Sequence, residues 1–518
     1  MDHTPQARPV APIDPGPTTG SGASPETGEH HFDVLVVGAG LSGIAVGHYL
    51  QAACPTKRYA ILEARAAIGG TWDLFRYPGL RSDSDLYTFG YSFRPWRSDR
   101  SIADGASILR YVRETASAEG IDQKIRFGHR VVRASWDSAT ALWTLETEVE
   151  RQAAPVRYTC RVLSVCSGYY AYDGGHDPAF PGLARFAGRV VHPQAWPDDL
   201  AWDGRTVVVI GSGATAVTLV PELAKTAAHV TMLQRSPTYV VALPSEDRIA
   251  RWLRARLPAG LAHGLARAKN VLLGMVFYAY ARRKPEAMAK RLLDGVRAEL
   301  GPDYDVAKHF TPSYKPWDQR LCLVPDADLF KAIRSGAASV ETDAVETFTE
   351  TGIRLASGRT LPADIVVTAT GLRLKLMGGI ETVVDGRVIE PAKLFLYKGM
   401  MLSGIPNLAV TIGYTNASWT LKSELTARYL CRLIRHMDRH GYAWCAPHAE
   451  PGTIAEVPLL SFTSGYVVRA APTLPKQGAR KPWRLNQNYA LDIAALTFGR
   501  LDDGTMRFGR PEPARRAA

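Results

Sequence analysis

The chain is predicted to be an α/β protein with two Rossmann-like, doubly wound dinucleotide-binding domains and a helical insertion. Two glycine fingerprints, each set between a β-branched run and an apolar helical stretch, carry most of that expectation. A single segment that concentrates the net charge carries the rest. With 518 residues, 46% apolar and 22% charged, the composition is that of an ordinary soluble globular protein. At roughly 150 residues per domain the length leaves room for about three or four domains, or two large ones. Disordered, collagenous and disulfide-scaffold classes are excluded for the whole chain.

The first thirty residues are rich in Pro, Gly, Ser and Thr and read as a disordered, solvated tail, as does the short run 511–518. No basic start followed by a hydrophobic stretch marks a signal peptide or an anchor. The cysteines Cys54, Cys160, Cys166, Cys322, Cys431 and Cys445 have no C-x-x-C spacing, so neither a structural metal site nor a dithiol pair is expected. Scattered thiols suit a reducing compartment, and the expected location is cytoplasmic.

The first fingerprint follows Phe32-Asp-Val-Leu-Val-Val37. It runs through Gly38, Gly40 and Gly43 into an apolar helical stretch, Ile44 to Leu50. The glycines allow a tight turn, a close backbone approach to a pyrophosphate, and packing of helix on strand. The diphosphate would face the helix N-terminus, where free N–H groups and the dipole favour an anion. A second strand, Tyr59 to Glu63, ends in Glu63, whose carboxylate can accept hydrogen bonds from ribose hydroxyls.

A second copy begins at Arg205-Thr-Val-Val-Val-Ile210, with Gly211, Gly213 and the permitted alanine, Ala216. Its second strand, Val230 to Gln234, ends in Arg235-Ser236 instead of an acid. A carboxylate there would repel a 2′-phosphate, whereas a guanidinium can bind it with two hydrogen bonds. The first site is thus expected to take FAD and the second NADPH, which points to an enzyme that passes hydride between two cofactors. Leu361-Pro-Ala-Asp-Ile-Val-Val-Thr-Ala-Thr-Gly371 reads as a buried strand, and Leu163 to Gly168 as a weaker version of it. Both are expected to return the chain from one domain to the other.

Lys plus Arg exceeds Asp plus Glu by 12, and twelve basic against two acidic residues lie between Arg248 and Arg297. This segment also holds an apolar run, Val271 to Ala281, too short to span a bilayer, which needs about 20 residues. Two readings stay open. The favoured one is a helical insertion that buries its apolar stripe against a neighbouring domain. The other is a peripheral patch that touches anionic lipid. Nucleic-acid binding is not expected, because no reading motif accompanies the charge.

A disulfide reductase would need two close cysteines after the first fingerprint, and only Cys54 is near. Phe186-Ala-Gly188-Arg-Val-Val-His192-Pro-Gln-Ala-Trp196-Pro197 resembles the F-x-G-x-x-x-H-x-x-x-W-P signature of Baeyer–Villiger monooxygenases, the class B flavoprotein monooxygenases. Gly69-Gly70-Thr71-Trp72 and Arg81-Ser-Asp83 are similar to the family's second signature. The resemblance covers residues 32 to about 508. It implies that Gly70, Thr71 and Trp72 help to bind FAD and that Arg320 is a catalytic arginine supported by Asp83. It makes Phe186, Gly188, His192 and Trp196 hinge residues, and His192 not a base. Where many members place a lysine before the arginine, this chain has Gln319, which leaves more of the 2′-phosphate to Arg235.

The resemblance further implies that NADPH reduces FAD, that oxygen is then activated on the flavin in a dry pocket, and that Arg320 supplies a permanent positive charge there. O2 and a ketone, or a sulfide or thioamide, are the expected substrates. An N- or S-oxygenase on amines and sulfides, and a flavin-binding redox sensor docked on membranes, are the alternatives. Arg81 competes with Arg320 for Asp83, and Tyr87, Tyr414 and Trp419 are candidate pocket walls. The expected division is an FAD domain over 31–185 and 375–510, an NADPH domain over 186–244 and 318–374, and the basic helical insertion over 245–317.

Overall fold

Strand His31–Val37 lies inside a mixed nine-stranded sheet. Val34, Leu35 and Val36 are all fully buried, the pattern of a parallel strand covered on both faces. It pairs in parallel with Tyr59–Glu63 and Val156–Val165, and Ile125–Phe127 adds to the far side of Tyr59–Glu63. Val156–Val165 has two neighbours along its other edge. Its first half pairs antiparallel with Leu142–Val149, and its last three residues pair in parallel with Leu408–Val410. Chain from both ends of the sequence thus builds one sheet, which helix Leu41–Ala53 covers together with helix Trp419–His440. This computed structural model describes residues 30–510 except 151, 153 and 451. The expected tails, His30 aside, lie outside the described residues.

The second sheet has five parallel strands in the order Ala338–Thr342, His229–Gln234, Thr206–Ile210, Ile365–Thr368, Arg189–Val191. Helices Ala214–Leu223 and Asp328–Arg334 pack their apolar faces onto it. Two Rossmann-like halves are therefore present, as the fingerprints predict.

The expected strand Leu361–Gly371 is broken. Thr360–Pro362 belongs to a small antiparallel sheet, and Ile365–Thr368 lies inside the five-stranded one, between Thr206–Ile210 and Arg189–Val191. Asp364 makes the corner, its carboxylate accepting from the Thr206 amide at 2.8 Å. An apolar run cannot by itself reveal such a change of sheet, because both halves are buried.

The basic segment is helical, over Arg248–Arg256, Ala259–Arg283 and Pro285–Leu300. The favoured expectation for its apolar run is corrected. Helix Ala259–Arg283 docks through Ala262, His263, Ala266 and Arg267, while Leu272, Leu273 and Val276 are 60%, 57% and 58% exposed. The reason is a polar anchor. Arg267 donates to the Gly90 and Tyr87 carbonyls at 2.6 and 3.1 Å and pairs with buried Glu424 at 2.7 Å. Satisfying that guanidinium sets the helix rotation and turns the larger apolar side chains outward. No helix among the described residues is long and apolar enough to cross a membrane.

Candidate active site

Each fingerprint turns where a side chain would strike the neighbouring strand end. Gly38 has φ of +102°, and a Cβ there would lie 2.6 Å from the Cys166 carbonyl oxygen. Gly211, at +146°, faces Ala369 in the same way, so Leu163–Gly168 and the end of Ile365–Thr368 play matching roles. A Cβ on Gly43 would collide with the Gly38 carbonyl, which leaves helix Leu41–Ala53 seated on its strand only with glycine. Ala216, fully buried, holds the corresponding place in the second copy. Gly40 and Gly213 are different. The first meets only Gly70 across the loop, and the second faces open space.

Neither helix has a side-chain cap, so the first-turn N–H groups at Leu41 and Ala214 stay available to an anion. Both helix starts line one cavity of about 640 Å³. Glu63 lies in its wall. One carboxylate oxygen accepts from the Ala39 amide at 2.7 Å, and the other from the Arg65 amide at 2.9 Å. Glu63 thereby braces the glycine loop, while burial raises its pKa against those two hydrogen bonds. Gly70, Thr71 and Trp72, at the start of a single-turn helix, line the same cavity.

Arg320 and Asp83 meet in this cavity, with Nη2 at 3.0 and 3.1 Å from the two carboxylate oxygens. About a third of each side chain is open to the cavity, 37% and 34%, although protein surrounds the pair. Asp83 raises the guanidinium pKa above its usual range, against the cost of burial. The charge on Arg320 is therefore fixed. Arg81 does not compete, because it pairs with Asp328 and reaches the Val217 carbonyl. Trp317, at φ of +70°, turns the chain into the Arg320 segment beside half-buried Gln319.

Of the three candidate walls, Tyr414 and Trp419 line the cavity. Tyr414 donates to Asp492 at 2.7 Å, and Trp419 donates to the Ser42 hydroxyl at 3.0 Å. Tyr87 does not line it, since its hydroxyl is turned away to the Ser98 carbonyl. Sequence reasoning missed Tyr169, which stacks on Trp419 at 4.8 Å, and Tyr170, hydrogen-bonded to Tyr169 at 2.6 Å. Both line the cavity, and both directly follow Gly168, so the weak strand pattern was the available signal. Burial pushes the Tyr466 hydroxyl up to about 12 against the opposing Arg320 charge, and this residue carried no signal.

Arg235 and Ser236 stand exposed at the end of strand His229–Gln234. The Ser236 carbonyl accepts from Ser212 of the fingerprint loop at 3.0 Å, which ties that strand end to the glycines. Arg235 has no hydrogen-bonding or ionic partner among the described residues. Phe186 packs edge-on to Phe348, Gly188 lies close against the Asp364 carbonyl, and Trp196 packs edge-on to Trp202. His192 lies outside the cavity. Its Nδ1 accepts from the Gln194 amide at 3.1 Å, its ring lies against Gly175, and burial lowers its pKa. Gln194 in turn donates to the Ala171 carbonyl at 2.7 Å. Residues 169–176 and 371–375 run side by side as the two crossings between the sheets, joined by the Ala171–Arg373 and Lys375–Tyr169 backbone bonds.

A family model described as flavin-binding monooxygenase-like matches residues 97–252, and one for an NAD(P)-binding Rossmann-like domain matches residues 36–99. The FAD-containing monooxygenase EthA of Mycobacterium tuberculosis is 53% identical over 485 residues, covering 93% of this chain and 99% of that protein. The chain belongs to the flavin-binding monooxygenase-like family. Another family relative, the probable FAD-binding monooxygenase AlmA of Acinetobacter baylyi, is 48% identical over 93% of this chain and 97% of its own length. Among solved structures, an oxidized steroid monooxygenase bound to NADP superposes with a TM-score of 0.71. It covers 93% of this chain and all of its own at 22% identity, a likeness that carries the fold. As a family member the chain is a flavoprotein monooxygenase.

Proposed function

We propose that the chain is an FAD- and NADPH-dependent Baeyer–Villiger monooxygenase. It would place one oxygen atom of O2 beside a ketone carbonyl to give an ester or lactone, and would also oxidise sulfides or thioamides. The observation that carries this reading is the Arg320–Asp83 ion pair in the cavity onto which both fingerprint helices open.

The residues fit the two cofactors. At the first fingerprint, backbone occupies the places where Cβ atoms of Gly38 and Gly43 would sit, and an uncapped helix start faces the cavity. Glu63 spends one lone pair of each oxygen on backbone amides and keeps others for ribose hydroxyls. At the second, Gly213 opens onto free space and Arg235 is unpartnered among the described residues, which suits a 2′-phosphate. When bound, FAD supplies electron storage and oxygen activation, and NADPH supplies the hydride.

The protein's own part is electrostatic and steric. Arg320 holds a fixed positive charge where negative charge develops on oxygen, and Asp83 orients its planar fork. Tyr169 and Trp419, stacked together, form one wall of that place. His192 and Trp196 act on the hinge between domains over 31–185 with 375–510 and 186–244 with 318–374. The names of the relatives support the flavin, and NADP in the steroid monooxygenase supports the second cofactor.

The deciding experiment mixes the purified yellow protein with NADPH under anaerobic conditions and then adds air and a ketone. Bleaching followed by an ester or lactone is the expected result. Bleaching with sulfoxide but no ester from any ketone would replace this reading with an S-oxygenase, and a preparation that never bleaches would overturn it.

A further inference from the structure

The outward side of helix Ala259–Arg283 carries Leu261, Leu265, Leu272 and Val276 at spacings that place them on one stripe. They are 52%, 44%, 60% and 58% exposed, and Leu273 and Phe277 widen the apolar area. The preceding helix adds Ile249 and Trp252, also largely exposed. The inner side of the same helix is already engaged. Beyond Arg267, Lys269 pairs with Asp247, Asn270 donates to Asp85 at 2.8 Å, and Arg282 pairs with Asp318 at 2.8 Å. Tyr278 packs edge-on to Trp317. The stripe is thus held rigidly outward, and a large contiguous apolar exposure of this kind marks an interaction surface.

The charge around it says what kind. Arg248, Arg256, Arg283 and Lys284 are exposed and have no carboxylate partner among the described residues. Arg256 lies over the Trp252 ring at 4.8 Å, so that aromatic and cation are presented together. Between Arg248 and Arg297 only Glu286 and Asp294 are acidic. A second copy in a two-fold contact would bring this excess of cations against itself. Leucine and tryptophan bordered by arginine and lysine, on a helix too polar to insert across a bilayer, match the chemistry of an acyl-chain boundary beneath anionic headgroups.

We propose that this face docks the protein on the surface of a bilayer that contains anionic lipid. The apolar stripe enters the headgroup–acyl boundary while Arg248, Arg256, Arg283 and Lys284 meet the lipid phosphates. The inference stands apart from the reaction assigned to the cavity and can fail or hold without it.

The test is co-sedimentation of the full-length, flavin-loaded protein with vesicles of phosphatidylcholine, alone or with about one third phosphatidylglycerol. Pelleting with the anionic vesicles is expected. The apparent affinity should fall about tenfold in the Leu272→Ser/Val276→Ser pair, in the Arg283→Glu/Lys284→Glu pair, and for the wild type at high salt. All substituted positions face solvent, so bound-flavin absorbance and thermal midpoint should match the wild type. If the apolar pair proves misfolded, the charge pair still decides. No pelleting above the vesicle-free control, or pelleting indifferent to both pairs, would overturn the proposal. So would self-association that Leu272→Ser/Val276→Ser abolishes while lipid binding is absent. Equal retention on polyglutamate-coated beads would overturn it too, by assigning the face to an acidic protein.

Discussion

Asp83 and Arg320 are 237 positions apart in the chain, yet one guanidinium nitrogen reaches both carboxylate oxygens at 3.0 and 3.1 Å. Asp83 comes from the loop that follows the single-turn helix Thr71–Leu74, and Arg320 from the turn that ends the helical insertion. Their meeting depends on the two sheets and the insertion standing in one relative position. It is the arrangement from which the proposed chemistry follows.

Arg320→Ala is expected to leave anaerobic bleaching by NADPH intact and to lower ester formation about 10²- to 10³-fold, the usual loss when a preorganised charge donor is removed. Asp83→Asn keeps the shape and removes only the orienting charge, so its loss should be smaller, about tenfold. Stopped-flow reduction combined with product analysis separates the two steps. Normal ester yield from the alanine variant would refute the role of Arg320.

Arg235 stands unpartnered at the strand end beside the second fingerprint. Arg235→Ala should raise KM for NADPH about tenfold or more, as expected for a lost charge-assisted phosphate contact, and leave KM for NADH nearly unchanged. Steady-state kinetics with both nucleotides checks this. Equal changes for the two would assign the 2′-phosphate elsewhere.

At Gly43 a Cβ would collide with the Gly38 carbonyl, which is backbone and cannot swing aside. Gly43→Ala should therefore push the helix off its strand, cost about 1–3 kcal/mol and yield a protein largely stripped of flavin. The absorbance ratio at 450 and 280 nm measures the effect, and full flavin content would contradict the packing.

Arg267 and Glu424 form a buried pair at 2.7 Å between the insertion and helix Trp419–His440. Arg267→Met or Glu424→Leu alone leaves a buried partner uncompensated and should cost about 3–5 kcal/mol. Arg267→Met/Glu424→Leu should recover part of that loss. Denaturant midpoints in a double-mutant cycle would show it, and strictly additive losses would mean the pair is not coupled.

His263 is buried, neither ring nitrogen has a partner among the described residues, and burial, reinforced by the Arg267 charge, lowers its pKa from 6.5 to about 4. A depressed histidine favours the folded state while neutral. That contribution is complete above pH 6.5 and is lost as pH falls toward 4. Its size is at most about 3 kcal/mol. His263→Phe should flatten the thermal midpoint between those pH values, whereas an unchanged pH profile would exclude His263 as the cause.

Much of the fold could be read from the chain because its signals are local. A β-branched run, glycines at fixed gaps and a helical stretch specify a strand–turn–helix unit within about thirty residues. Strand Tyr59–Glu63 follows its pattern residue for residue. Leu361–Gly371 failed because burial looks alike in two different sheets, and Tyr87 failed because aromatic residues line cores as readily as pockets. The outward turn of Leu272 and Val276 was hidden for another reason. Which side of a helix faces inward depends here on a distant carboxylate, Glu424, that satisfies Arg267.

The chain by itself thus determined two glycine-lined nucleotide folds, the acid at one strand end and the arginine at the other. Steric and hydrogen-bonding limits act there between near neighbours. Only the tertiary structure decided that Asp83 takes Arg320 and leaves Arg81 to Asp328, that Tyr169 and Tyr170 wall the cavity, and that the basic helix shows its leucines to solvent. Those outcomes depend on how desolvated charges find partners across long separations, and no local pattern encodes that.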